Sequence, residues 1–124
     1  MPSFVIFEVG GVRAAVPAAD VLEVVAVQGP VVVPGAPPLL AGLLGHRGAI
    51  VPLVDGAERV TGIRAPAGRA GIAILCATRL GTVGIAVDRI VDLVRGPDLR
   101  GRQVDVEALV SECRAAMAAD GRST

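Results

Sequence analysis

The chain has 124 residues, 52% of them hydrophobic and 19% charged, and twelve basic residues balance twelve acidic ones. That profile describes one folded domain with enough apolar content for its own core, and it excludes intrinsic disorder. With no Tyr or Trp and no basic stripe, there is little for bases to stack on, which excludes a nucleic-acid-binding protein.

The apolar content is mostly small: 21 Val, 20 Ala and 16 Gly stand against two Phe, and every basic residue is Arg. The dominant period is two. Ser3 to Val9 (SFVIFEV) and Val12 to Val16 flank Gly10-Gly11 and read as a hairpin. Pro17 stops it, Ala18 to Asp20 suits one helical turn, and Val21 to Val27 is the next strand. After a proline-rich link come a segment from Leu39 to His46, a turn at Arg47-Gly48 and a strand from Ala49 to Val54. Asp55 is placed to cap a short helix reaching Val60. Gly62 to Gly68 (GIRAPAG) reads as a loop. Strands over Gly71 to Ala77 and Thr82 to Val87 then flank a turn at Thr78 to Gly81, and Asp88 to Val94 (DRIVDLV) follows. The last element is a helix over about Val106 to Ala118. It is capped by Asp105 and carries Val106, Leu109, Val110, Cys113 and Met117 on one face.

Val24 to Gly45 carries no charge and is long enough to span a bilayer, but Pro30, Pro34, Pro37 and Pro38 cannot share one helix. It reads as strands and turns, with no direct membrane insertion. No basic residue precedes Arg13 and Glu8 interrupts the first apolar run, so a signal peptide is not supported. Cys76, Cys113 and the single His46 are too few for a structural zinc site, and the thiols read as reduced and buried in a cytosolic protein. Neither a metal nor a cofactor is expected.

The pattern occurs twice. Strand, glycine turn, strand and Asp20-Val21-Leu22-Glu23-Val24-Val25 align with strand, turn, strand and Arg89-Ile90-Val91-Asp92-Leu93-Val94, placing Val21 over Ile90 and Glu23 over Asp92. Two small β lobes sharing one core are expected, mainly β with short strands and compact barrels.

Pro34 to Asp55 (PGAPPLLAGLLGHRGAIVPLVD) resembles the CheW family of chemotaxis coupling proteins, with Gly42, Arg47, Gly48, Pro52 and Asp55 at the family spacing. Phe4 to Glu23 is similar to that family's opening hairpin and D-V-x-E-V segment, and Gly84 to Ile90 to its G-L-x-V-D-x-V block, which includes Asp88. The resemblance implies two SH3-like β-barrel lobes sharing a core. It also implies a non-enzymatic cytoplasmic adaptor, recruited to membrane receptor arrays, that couples methyl-accepting chemoreceptor tips to the regulatory domain of a CheA-type histidine kinase. The lobes are expected at about residues 3–66 and 67–106, with the helix at about 106–118. Family members carry Asn-Leu where this chain has Gly45-His46, and the connection from Arg95 to Gln103 is about one hairpin short. The second lobe is therefore expected to be reduced.

Arg47, Glu23, Val21, His46 and Gly48 are the candidate partner-binding residues under this resemblance, and Gly42, Pro52, Asp55 and Asp88 the structural ones. Arg47 reads equally as a partner-facing group or as an intramolecular bridge to Glu23 or Asp55, because an unpaired buried guanidinium is costly. Glu23 and Val21, two apart on a strand, are expected to share a face. Two alternatives stand beside the adaptor. One is a diverged CheW-like module that serves another receptor–kinase cluster or self-associates through exposed strand edges. The other is a small hydrolase using His46 with Cys76 or Asp55, which requires a Cys–His contact in one pocket.

Overall fold

A computed structural model describes residues 2–27, 30–65, 71–96 and 102–122. Its elements in chain order are β1 (Ser3–Val9), β2 (Val12–Pro17), a 3₁₀ turn at Ala18–Asp20, β3 (Val21–Val27), β4 (Leu40–His46), β5 (Ala49–Asp55), α1 (Gly56–Thr61), β6 (Gly71–Thr78), β7 (Gly81–Val87), β8 (Arg89–Arg95), β9 (Arg102–Gln103) and α2 (Val106–Arg122). The mainly β reading and both hairpins agree with the sequence. Part of the loop expected at Gly62 to Gly68 lies outside the described residues, as does the side chain of Met117.

The strands form two sheets, β8-β1-β2-β9 (lobe 1) and β3-β6-β7-β5-β4 (lobe 2). The lobes therefore do not divide the chain at residue 66. Each repeat unit keeps its hairpin and gives its third strand to the other sheet: β3 pairs with β6, and β8 with β1. A chain-order division fails because Asp88 alone links β7 to β8. One residue is too short to fold a strand back beside its hairpin, so the chain crosses to the other sheet. Asp88 fixes this corner: its Oδ2 accepts from the Gly10 N–H at 3.0 Å, and its own N–H donates to the Glu8 carbonyl at 3.0 Å.

The repeat holds down to single residues. Val21 pairs with Cys76 and Glu23 with Leu75 in lobe 2; in lobe 1 their counterparts Ile90 and Asp92 pair with Phe7 and Ile6. Both ladders shift register at the same place, leaving Leu22 and Val91 as equivalent bulge residues. The relation extends to the parallel strands. β5 lies beside β7 and leads into α1, and β9 lies beside β2 and leads into α2. Each helix begins at an aspartate: Asp55 Oδ1 accepts from Glu58 N–H and Asp105 Oδ1 from Ala108 N–H, both at 3.1 Å.

Three apolar clusters follow. The largest fills the space between the sheets and includes Phe7, Val16, Ile74, Cys76, Ile85 and the buried face of α2 (Val106, Leu109, Val110, Cys113). Inside lobe 2 are Leu44, Val51, Leu53, Ala73 and Leu75; inside lobe 1, among the described residues, are Phe4, Ile6 and Ala15, with Val91 and Val94 packed against them. The two lobes share most of their buried surface, so neither is an independent folding unit.

The expected shortening is real but falls on the lobe built around the N-terminal hairpin. β8 and β9 both run parallel to β2, and six residues, 96–101, separate them in sequence. The matching connection in lobe 2 is residues 28–48, which contain β4. Among the described residues, lobe 1 has no counterpart of β4.

Candidate functional site

Four of the five partner-binding candidates, Glu23, His46, Arg47 and Gly48, meet at one end of lobe 2. β4 and β5 pair from Leu40 opposite Val54 to His46 opposite Ala49, leaving Arg47 and Gly48 as a two-residue turn. Both take left-handed backbone angles, φ 50° and 79°. Such turns match the twist of a hairpin and favour Asn-Gly. Gly48 accepts this freely, whereas an Arg at the first position costs about 1 kcal/mol.

The strained residue faces an acid. Arg47 Nη2 lies 3.1 Å from Glu23 Oε2, and His46 Nε2 lies 3.1 Å from the same oxygen. Glu23 is on β3 and the other two are at the end of β4, strands at opposite edges of one sheet. Val25 and Val27 of β3 and Ala41 of β4 pack against one interior cluster that includes Leu44, and the three polar side chains bridge the two edge strands. The Arg47 side chain is 78% exposed, so the ion pair sets geometry more than stability, at about 0–1 kcal/mol. Of the two bridges considered for Arg47, the one to Glu23 forms.

Val21 does not join this group. The bulge between Val21 and Glu23 flips the alternation, so Val21 faces the inter-lobe core opposite Cys76 while Glu23 follows Leu75 towards the lobe interior. The expectation of a shared face is overturned by one inserted residue.

The four structural candidates each have a local cause. A Cβ on Gly42 would sit 2.6 Å from the Val31 carbonyl oxygen, so glycine lets residue 31 lie beside β4, where Val31 and Leu43 exchange backbone hydrogen bonds. Because Leu43 turns its N–H to Val31, its pair with Pro52 across β4–β5 is a non-hydrogen-bonded one, where a proline is tolerated. Asp55 is 5% exposed; besides capping α1, its Oδ2 accepts from Ala65 N–H at 3.0 Å. Asp88 holds the corner described above.

An apolar strip beside the turn is not evident from sequence. Pro52, Leu43 and Val31 are lateral neighbours across three adjacent segments, and Ile50 lies two residues before Pro52, opposite Gly45. Ile50 is 75% and Val31 64% exposed, and Leu22 and Val24 are exposed on β3. The period-two pattern marks these residues as strand without saying which apolar face lacks cover. The small Gly45 opposite Ile50 is the one local sign.

The chemistry available is recognition rather than nucleophilic attack. Cys76 lies in the inter-lobe core, where burial first and the Asp20 charge second push its thiol up to about 12. It stays protonated near neutral pH, while His46 is engaged with Glu23. The Cys–His arrangement a hydrolase would need does not form. Among the described residues no group of His, Cys, Asp and Glu could hold a metal ion, and no helix is long and apolar enough to cross a membrane.

The model of the CheW-like domain matches residues 3–122 of this chain. Among solved structures, the scaffolding protein TtCheW from Thermoanaerobacter tengcongensis superposes with a TM-score of 0.67 at 22% identity, covering 79% of this chain. The matched part amounts to 64% of the length of that protein. No curated protein matches the sequence.

Proposed function

Because the chain belongs to the CheW-like domain family, we infer that it is a non-enzymatic adaptor of chemotaxis-type signalling. It links the cytoplasmic tips of methyl-accepting chemoreceptors to the regulatory domain of a CheA-type histidine kinase. The observation that carries this reading is Arg47. A guanidinium is held at a left-handed turn position where glycine or asparagine would be cheaper, is kept largely exposed, and stands beside an uncovered apolar strip. The one surface ion pair that Arg47 makes, to Glu23, contributes only about 0–1 kcal/mol against the strain of its turn position, which fits a further contact made with another molecule. Ile50 and Val31 supply apolar area, and Arg47, Glu23 and His46 a polar rim, the composition of a protein interface without aromatic anchors. A cytoplasmic location, with recruitment to receptor arrays, belongs to the same reading.

The test separates folding from binding. Arg47→Gly relieves the turn and leaves thermal stability unchanged or raised by up to about 1 kcal/mol. It should weaken binding to the isolated kinase regulatory domain or to a receptor-tip fragment at least tenfold by calorimetry. If neither partner perturbs the NMR spectrum of the native chain at millimolar concentration, the adaptor reading is wrong.

A further inference from the structure

The arginine–glutamate pairs of this chain are not built alike. Arg89 forks onto Glu8, with Nε 3.3 Å from Oε1 and Nη2 3.1 Å from Oε2. Arg59 Nη1 reaches both oxygens of Glu112, at 3.1 and 2.9 Å. Arg47 meets Glu23 at Oε2, and that same oxygen is bonded to His46 Nε2 at 3.1 Å. Contacts to both oxygens fix a guanidinium in place, whereas one shared oxygen leaves it free to turn. Arg47 is also the most exposed of these three arginines, while His46 is the most enclosed of the three side chains around Oε2.

Glu23 needs a donor of its own. Its side chain is part-buried and follows Leu75 towards the lobe interior, so a departing Arg47 would strand a carboxylate there. His46 removes that cost, because its N–H stays on Oε2 after the guanidinium has gone. Arg47 already pairs with a carboxylate, so a carboxylate is the group best fitted to take the place of Glu23.

We propose that His46 is a positioning residue: it holds Glu23 so that Arg47 can exchange that acid for a carboxylate on a bound protein. The inference rests on the adaptor reading and adds the chemistry of the group that Arg47 meets.

Phenylglyoxal labelling of the full chain, read residue by residue by mass spectrometry, reports how free each guanidinium is. In the native protein Arg47 should react faster than Arg59 and Arg89. His46→Leu leaves Glu23 to Arg47 and should slow Arg47 labelling about three- to fivefold, with Arg59 and Arg89 unchanged as evidence of an intact fold. His46→Gln, whose amide N–H reaches about as far as Nε2, should keep the native rate. Glu23→Gln added to His46→Leu should restore it, since a neutral amide forms no ion pair. An Arg47 rate unchanged by His46→Leu, or a slowing that Glu23→Gln does not relieve, overturns the proposal. If His46→Leu fails to fold, His46→Asn, too short to reach Glu23, takes its place against His46→Gln.

Calorimetry with the isolated kinase regulatory domain and with the receptor-tip fragment reads the exchange itself. The partner whose binding Arg47→Gly weakens should bind His46→Leu about three- to fivefold less tightly, and adding Glu23→Gln should recover the loss. Native affinity in His46→Leu overturns the exchange and leaves the adaptor reading intact. A native chain that binds neither partner overturns both.

Discussion

Lobe 1 and lobe 2 are built from the same repeat and differ in how they close. Lobe 2 has five strands, an interior of Leu44, Val51, Leu53, Ala73 and Leu75, and a seam joined by Glu23, His46 and Arg47. Among the described residues lobe 1 has four strands, the last of two residues, and an interior of Phe4, Ile6 and Ala15. An interior of three buried side chains against five is too small to stand alone, yet Phe4 and Ile6 are buried, as are their lobe 2 counterparts Ala73 and Leu75. The comparison teaches that the shared inter-lobe core, rather than either lobe, is the stabilising unit. Closing a lobe fully is then a matter of the surface it presents.

The strongest way to break that view is through the shared core. Phe7 is fully buried there, and Phe7→Ala should cost about 3–5 kcal/mol through lost burial and the cavity left behind. Urea unfolding followed by far-UV circular dichroism, since the chain has no Tyr or Trp, should show one transition shifted as a whole. Two separated transitions, with lobe 2 surviving lobe 1, would contradict a common core.

Cys76, the lobe 2 counterpart of Phe7, offers a second probe. Its thiol is raised from 9.0 to about 12, and Cys113 is raised as well, by burial first and the Glu112 charge second. Below pH 9 the folded and unfolded chains both hold these protons. As pH climbs from 9 towards 12 the unfolded chain releases them and the folded chain keeps them, so stability falls. Cys76 alone contributes a slope of about 1.4 kcal/mol per pH unit. With neither Lys nor Tyr, no other side-chain type has its ordinary pKa in that window. Urea midpoints at pH 8, 9.5 and 10.5 should fall steeply for the native chain and less steeply for Cys76→Ala. An unchanged slope in the variant would place the thiol outside the core.

The smallest effects compare the two helix caps. Asp55 is buried and satisfies the N–H groups of Glu58 and Ala65, whereas Asp105 is exposed and caps through Ala108 alone. Asp55→Ala should destabilise by about 2–3 kcal/mol and Asp105→Ala by about 1 kcal/mol, measured by chemical denaturation. Equal costs would mean that the loop bond to Ala65 contributes nothing.

Much of this architecture was legible in the chain. Gly10-Gly11, Arg47-Gly48, Asp55 and Asp105 announce turns and caps by residue type, and the doubled D-V-L-E-V and D-R-I-V-D-L pattern reveals the repeat. The shortened connection before Gln103 is visible too. The bulge at Leu22 was not, because a strand that slips by one residue keeps its alternating composition and only its cross-strand partner shows the flip. The uncovered strip of Val31, Leu43 and Ile50 escaped for a related reason: β-rich sequence does not state which face another element covers.

By itself the sequence determined the strands, their turns, the capped helices and the doubling, because each depends on neighbours a few residues away. Only the tertiary structure decided that the third strands change places, that Val21 and Glu23 part company, and that Glu23 meets His46 and Arg47. Those outcomes depend on pairings between distant segments, chosen by which apolar faces can be buried together, and no local pattern carries that information.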